Sequence, residues 1–152
     1  MDRLELKIPP PLLFLLLAGL MWLLARATPD IHGIEAGMYP VAALTLSGSL
    51  LLLLGVAAFI RARTSVDPRK PAGASTLVCS GIYRLSRNPM YLGDLLLLGA
   101  WAFYLGNALT LILLPVFVLY MNRFQIQPEE RALSRHFGVA YHDYCRRTRR
   151  WL

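Results

Sequence analysis

Apolar residues fall in three uninterrupted blocks, and the polar residues between them are mostly basic. The first block is Leu12 to Ala25, entered through Pro9-Pro10-Pro11. It is short for a membrane crossing, which takes about 20 apolar residues. Ile8 and the prolines extend it, and Arg26 can snorkel to the interface at its end. Two proline-flanked ends and no small-residue cleavage site argue for a retained helix rather than a signal peptide. The second block, Ala36 to Ile60, carries no charge and is ample for one crossing at ~1.5 Å per residue. The third runs from Leu95 to Met121, again without a charge. Gly106-Asn107 near its middle is a turn signal. The pattern therefore predicts a tight hairpin of two short helices, 89–105 and 108–123, the second kinked at Pro115.

The basic residues test that split. The loop 61–88 holds Arg61, Arg63, Arg69, Lys70, Arg84 and Arg87, and the tail holds Arg123, Arg131, Arg135, Arg146, Arg147, Arg149 and Arg150. The connections 27–40 and 106–107 hold neither Lys nor Arg. With four spans (about 11–26, 38–60, 89–105 and 108–123), both basic segments share one side with Arg3 and Lys7. With three they would be divided. The positive-inside rule selects four spans with both termini cytosolic. The expected location is a bacterial inner membrane.

Composition agrees with lipid as the solvent. The 152 residues are 56% hydrophobic and 16% charged, against ~45–50% and ~25% for soluble domains. That is one membrane domain over 1–152, with no repeat and no separate soluble unit. The net charge of +7 is explained by topology and anionic lipid, so nucleic acid is not an expected partner. Cys79 and Cys145 both fall in cytosolic segments and are expected as free thiols. His32, His136 and His142 converge on no metal or catalytic motif, and no metal site is expected.

Past the hairpin, Pro128 suits a first helical position, and Glu129 and Glu130 suit a first turn. Leu133, Phe137, Tyr141 and Tyr144 recur at helical spacing. This predicts an amphipathic cytosolic helix over about 128–147. The fold class is thus an all-α polytopic bundle with a C-terminal cytosolic helix.

The stretch from Ser80 to Gly93 carries the candidate chemistry. Asn88-Pro89 reads as a helix start, with Asn as cap and Pro at the first position. That alone does not account for Tyr83, Arg87, Tyr91 and Gly93 at the same membrane entrance. A helix N-terminus beside an arginine is an anion site, and Gly93 would admit a ligand or a neighbouring backbone. Arg123, Glu129 and Glu130 return to the same level through the hairpin. Asp94 is a polar group one turn into a span, a functional candidate by position.

Arg87-Asn88-Pro89-Met90-Tyr91-Leu92-Gly93, then Glu129-Glu130, Phe137-Gly138 and Tyr141-x-x-Tyr144, resembles the integral-membrane methyltransferase superfamily. That group includes the isoprenylcysteine carboxyl methyltransferases and the phospholipid N-methyltransferases. The resemblance covers Thr64 to the C-terminus. It implies S-adenosylmethionine as methyl donor, held at the cytosolic side by the last spans and the tail. Carried over by position, Tyr83, Arg87, Asn88, Pro89, Met90, Tyr91 and Gly93 would form one wall. Glu129 and Glu130 would form another, with Tyr144 a lid contact. Arg87, Arg123 and Glu130 would carry the catalytic roles.

The acceptor it implies is a membrane lipid or another amphipathic molecule. The prenylcysteine branch typically reads Arg-His-Pro, whereas Asn88 stands here. Asn-Pro-Met-Tyr-x-Gly matches the phospholipid branch and favours an amine-bearing phospholipid. Carboxyl methylation of a prenylcysteine-like carboxylate stays open. So do a non-enzymatic subunit of the same fold and a nicotinamide-dependent reductase of similar architecture. A rim of Arg61, Arg63, Arg123 and Arg131 suits a phosphate or carboxylate on the acceptor.

Overall fold

The computed structural model describes residues 5–29, 31, 37–63 and 76–152. Arg3, His32, Arg69 and Lys70 lie outside the described residues, as does the join between the second span and the Ser80 region. Every regular element among the described residues is helical. Helix α1 is Pro10–Ala27, α2 is Met38–Arg61 and α3 is Pro89–Leu105. A 30-residue helical rod follows, Ala108–Phe137. Within it, the 3-10 segment Ala108–Ile112 leads into α4 (Leu113–Tyr120), a π-helical turn (Met121–Ile126) and α5 (Gln127–Phe137). Helix α6 is Val139–Arg147. α1, α2 and the rod are each long and apolar enough to cross a membrane, and α3 is a shorter apolar helix.

The hairpin forms where the turn signal placed it. Gly106 ends α3 at φ +68°, a conformation that glycine adopts without a Cβ clash. Asn107 then caps the rod, its Oδ1 accepting from Leu109 N at 3.0 Å. Its Nδ2 donates to the Thr28 carbonyl and hydroxyl, each at 2.9 Å, tying the hairpin to the end of α1. Pro115 falls just past the change from 3-10 to α geometry, so its missing N–H interrupts no established α-helix.

The core joins Leu13, Leu17 and Met21 of α1, Tyr91, Leu98 and Ala102 of α3, and Phe117, Met121 and Ile126 of the rod. Helix α2 lies on the outer side of α3. Its Gly48 faces Gly93 so closely that a Cβ on Gly93 would sit 2.8 Å from the Gly48 carbonyl oxygen. One turn nearer the polar end, Met90 fills the space over Gly55. Small residues are what bring membrane helices together, since lipid is as apolar as leucine. The rest of α2 is outward-facing leucine, with Leu46, Leu50 and Leu53 all more than half exposed. That surface suits lipid contact.

The single helix expected over 128–147 is corrected in two ways. Pro128 does not begin a new element, because the rod runs through it. Having no N–H, Pro128 leaves the Phe124 carbonyl without its helical donor. The backbone N–H of Leu6 donates to that oxygen instead, at 3.0 Å. The far end also breaks. Gly138 sits at φ +51°, ψ −123°, and separates α5 from α6.

Candidate active site

The polar end of the bundle is assembled from four pieces drawn from two distant parts of the sequence. These are the 3-10 turn Gly81–Arg84, the start of α3, the α5–α6 corner, and the segment 148–152. That last segment lies across the start of α3. Arg87 N–H donates to the Arg149 carbonyl at 2.9 Å, and Asn88 Nδ2 donates to the Arg150 carbonyl at 2.9 Å. Asn88 occupies the cap position, but its side chain does not cap the helix; its backbone carbonyl accepts from Leu92 N instead. Trp151 Nε1 donates to Asn122 Oδ1 at 3.1 Å, and its ring joins the edge of the core. Thus the tail closes the site by both backbone and side-chain bonds.

Two charge groupings result. In the first, Glu130 is held between two guanidiniums. Arg87 Nη2 reaches its Oε1 at 2.9 Å, while Arg150 donates to Oε1 at 3.0 Å and to Oε2 at 2.6 Å. The Arg87 side chain is only 14% exposed. Its Nη1 also donates to the carbonyls of Cys145 and Thr148. Its Nε is buried and finds no acceptor among the described residues. Two cations against one carboxylate leave a net +1, with a spare donor on Arg87.

The second grouping is Glu129 with two neutral donors, the Tyr91 hydroxyl at 2.7 Å and the Gln125 amide. Glu129 lies beyond the apolar part of the rod. Burial raises its carboxyl pKa to about 7, and the nearby Glu130 charge adds to this, against the lowering effect of the Tyr91 and Gln125 hydrogen bonds. Tyr83 and Tyr144 are joined separately, the Tyr144 hydroxyl donating to the Tyr83 carbonyl at 2.7 Å. Burial raises both phenol pKa values, so both stay protonated at neutral pH.

A cleft of about 490 Å³ opens beside Glu130, lined also by Gln127, Arg131, Ser134 and Tyr141.

Of the residues singled out from sequence, Arg87 and Glu130 meet in the first grouping, with Asn88 on the Arg150 backbone, and Tyr91 and Glu129 meet in the second, with Tyr83 and Tyr144 beside them. Pro89 is buried at the first position of α3. Met90 and Gly93 instead face α2; for Gly93 the neighbour is a backbone. Arg123 is engaged elsewhere, with Glu5 at 2.9 Å. Asp94 is partly buried one turn further along α3.

Sequence reasoning missed Arg150, Gln125 and the Asn122–Trp151 bond. Arg150 stands in a run with Arg146, Arg147 and Arg149, and nothing in their order distinguishes the one that turns inward.

These features define a class first: a helical integral membrane protein with a partly buried carboxylate–arginine site at one end of its bundle. Residues 42–140 match the family described as phospholipid methyltransferase. The chain belongs to that family of membrane methyltransferases. It is also 46% identical over 63 residues to an uncharacterized protein of Haemophilus influenzae. That stretch covers 41% of this chain and 100% of the relative. No solved structure matches the chain.

Proposed function

We propose that the protein transfers a methyl group from S-adenosylmethionine to an amphipathic acceptor at the cytosolic membrane face, an amine-bearing phospholipid first of all. The observation that carries this reading is the pairing of two oppositely charged groupings on adjacent residues, Glu130 with its arginines and Glu129 with Tyr91. The donor has matching features: a carboxylate, and an ammonium and sulfonium. The residues fit it. The spare Arg87 Nε is a buried donor lacking an acceptor among the described residues, which the carboxylate would supply. Glu129, bonded by neutral groups, suits a cation. Bound there, the donor supplies a methyl on a sulfonium, already a good electrophile.

The protein's own part is alignment and water exclusion. The tail segment and Tyr144 cover the site from the cytosolic side. An amine acceptor must lose a proton before its lone pair attacks. Glu130 is already held by two guanidiniums. Glu129 is engaged by the donor's cation in this reading, so the amine gives its proton to solvent, helped by a partial desolvation that lowers its pKa.

The donor assignment is tested by calorimetry on the detergent-purified chain, titrated in parallel with S-adenosylhomocysteine and with a reduced nicotinamide. Saturable binding of the first alone is expected. Binding of the nicotinamide alone points to a reductase, and binding of neither to a subunit without this chemistry.

We further infer four crossings in a bacterial inner membrane, with both termini inside. The support is the even return of the hairpin and the arginines clustered at one end. Reporter fusions after Pro29 and after Leu152 should read outside and inside, respectively. An outside reading at Leu152 would remove the fourth crossing.

A further inference from the structure

We propose that Arg123 and Arg131 form the binding site for the phosphate of the acceptor lipid, and that Glu5 is an internal stand-in which the lipid displaces. This rests on the reading of the acceptor as a phospholipid. The two carboxylate oxygens of Glu5 are divided between the two guanidiniums, Oε1 to Arg123 at 2.9 Å and Oε2 to Arg131 at 2.5 Å. A phosphodiester presents the same pattern, one negative charge over two non-bridging oxygens. A pair of arginines on one rod that grips a carboxylate this way is already shaped for it.

Three further observations point to a lipid rather than a free anion. Arg131 lines the cleft that Glu130 also lines, so an anion held there would present the rest of its headgroup to the donor-side residues. Arg123 lies in the π-helical turn, a device common at functional sites. One turn before it, the Tyr120 hydroxyl is buried and without a hydrogen-bond partner among the described residues. Tyr120 ends the apolar α4, directly before the π-helical turn that carries Arg123. A charged group above and a hydrogen-bonding oxygen below match a phospholipid's phosphate and its glycerol ester. Inorganic phosphate offers only the first.

The stand-in is also held in a way that favours release. Leu6, next to Glu5, adopts φ +57°, a left-handed conformation that strains a non-glycine residue. Its N–H meets the Phe124 carbonyl that Pro128 leaves open. Glu5 is therefore docked by one strained residue and two partly exposed arginines, rather than by an apolar plug.

The test is calorimetry on the full chain in detergent micelles, with three titrants: dihexanoyl phosphatidylethanolamine, dihexanoylglycerol and inorganic phosphate. S-adenosylhomocysteine affinity is measured on the same preparations. Glu5→Gln should tighten phosphatidylethanolamine binding by about five- to tenfold, and Arg131→Gln should loosen it by about tenfold or more. Tyr120→Phe should loosen it about threefold. Dihexanoylglycerol should show no response to Glu5→Gln. A gain in affinity cannot come from misfolding, so Glu5→Gln is the decisive variant. Unchanged lipid affinity in Glu5→Gln, with the donor product bound as in the parent, overturns the proposal. So does inorganic phosphate binding as tightly as the lipid. If the parent fails to bind S-adenosylhomocysteine, the donor assignment falls, and the lipid affinities still decide this site.

Discussion

Arg87→Ala is expected to reduce affinity for S-adenosylhomocysteine by about 10- to 100-fold. A hydrogen bond to a charged group is worth about 1.5–3 kcal/mol, and 1.4 kcal/mol is a factor of about ten. Arg87 would lose its bond to the donor carboxylate. It would also release Glu130, which its Nη2 holds at 2.9 Å, and the carbonyls of Cys145 and Thr148. Because the side chain is only 14% exposed, water cannot fully replace those partners. Glu130 would keep Arg150 alone, and the tail would lose an anchor. Arg87→Lys separates the roles. It retains the charge but not the planar fork, so it should recover stability more than affinity. Calorimetry and thermal unfolding of the two variants in the same detergent read both. Parent-like affinity in Arg87→Ala would mean the donor lies elsewhere.

Donor binding should also strengthen as pH rises through about 7. Glu129 has its carboxyl raised to about 7, chiefly by burial. The sign follows from linkage. The folded protein holds that proton more tightly than the unfolded chain does. The resulting stabilisation of the ligand-free protein is complete below the unfolded value and fades as pH rises through about 7. A cationic ligand binds the ionised form, so the ligand's effect runs the other way. If only the ionised form binds, affinity at pH 8 exceeds that at pH 6 by roughly tenfold. Binding should release a proton below pH 7, seen as a dependence on buffer ionisation enthalpy. Glu129→Gln should lower the affinity and flatten the profile. A flat profile in the parent would remove Glu129 from the cation's contacts.

Most of the fold was legible because its causes are local. Charge-free blocks mark spans, and Gly106-Asn107 marks a turn whose glycine takes the positive φ and whose Asn caps the next helix. The tail was less legible. Pro128 reads as a helix start, yet here the rod passes through it, because a distant backbone group, Leu6 N–H, satisfies the carbonyl it orphans. Such compensation is a tertiary fact. The same holds in the site. Arg87, Tyr91, Glu129 and Glu130 stood out by spacing and resemblance, and they do meet, Arg87 with Glu130 and Tyr91 with Glu129. Arg123 carries the same sequence signal but finds Glu5, 118 residues away. Gly93 lies within the motif and serves the contact between α2 and α3. Arg150 has the opposite history. It reads as one of several topology-setting arginines, and it supplies two bonds to Glu130.

The most direct test of the account is methyl transfer itself. The purified chain is supplied with S-adenosylmethionine labelled in its methyl group. It is offered phosphatidylethanolamine in liposomes and, in parallel, a prenylated cysteine analogue. The account predicts label in the phospholipid headgroup, dependent on Arg87 and Glu129, and little or none in the prenylcysteine. Label in the prenylcysteine alone, released by base as a methyl ester is, would contradict the amine acceptor. Label in neither, by a chain that does not bind S-adenosylhomocysteine, would contradict the central claim.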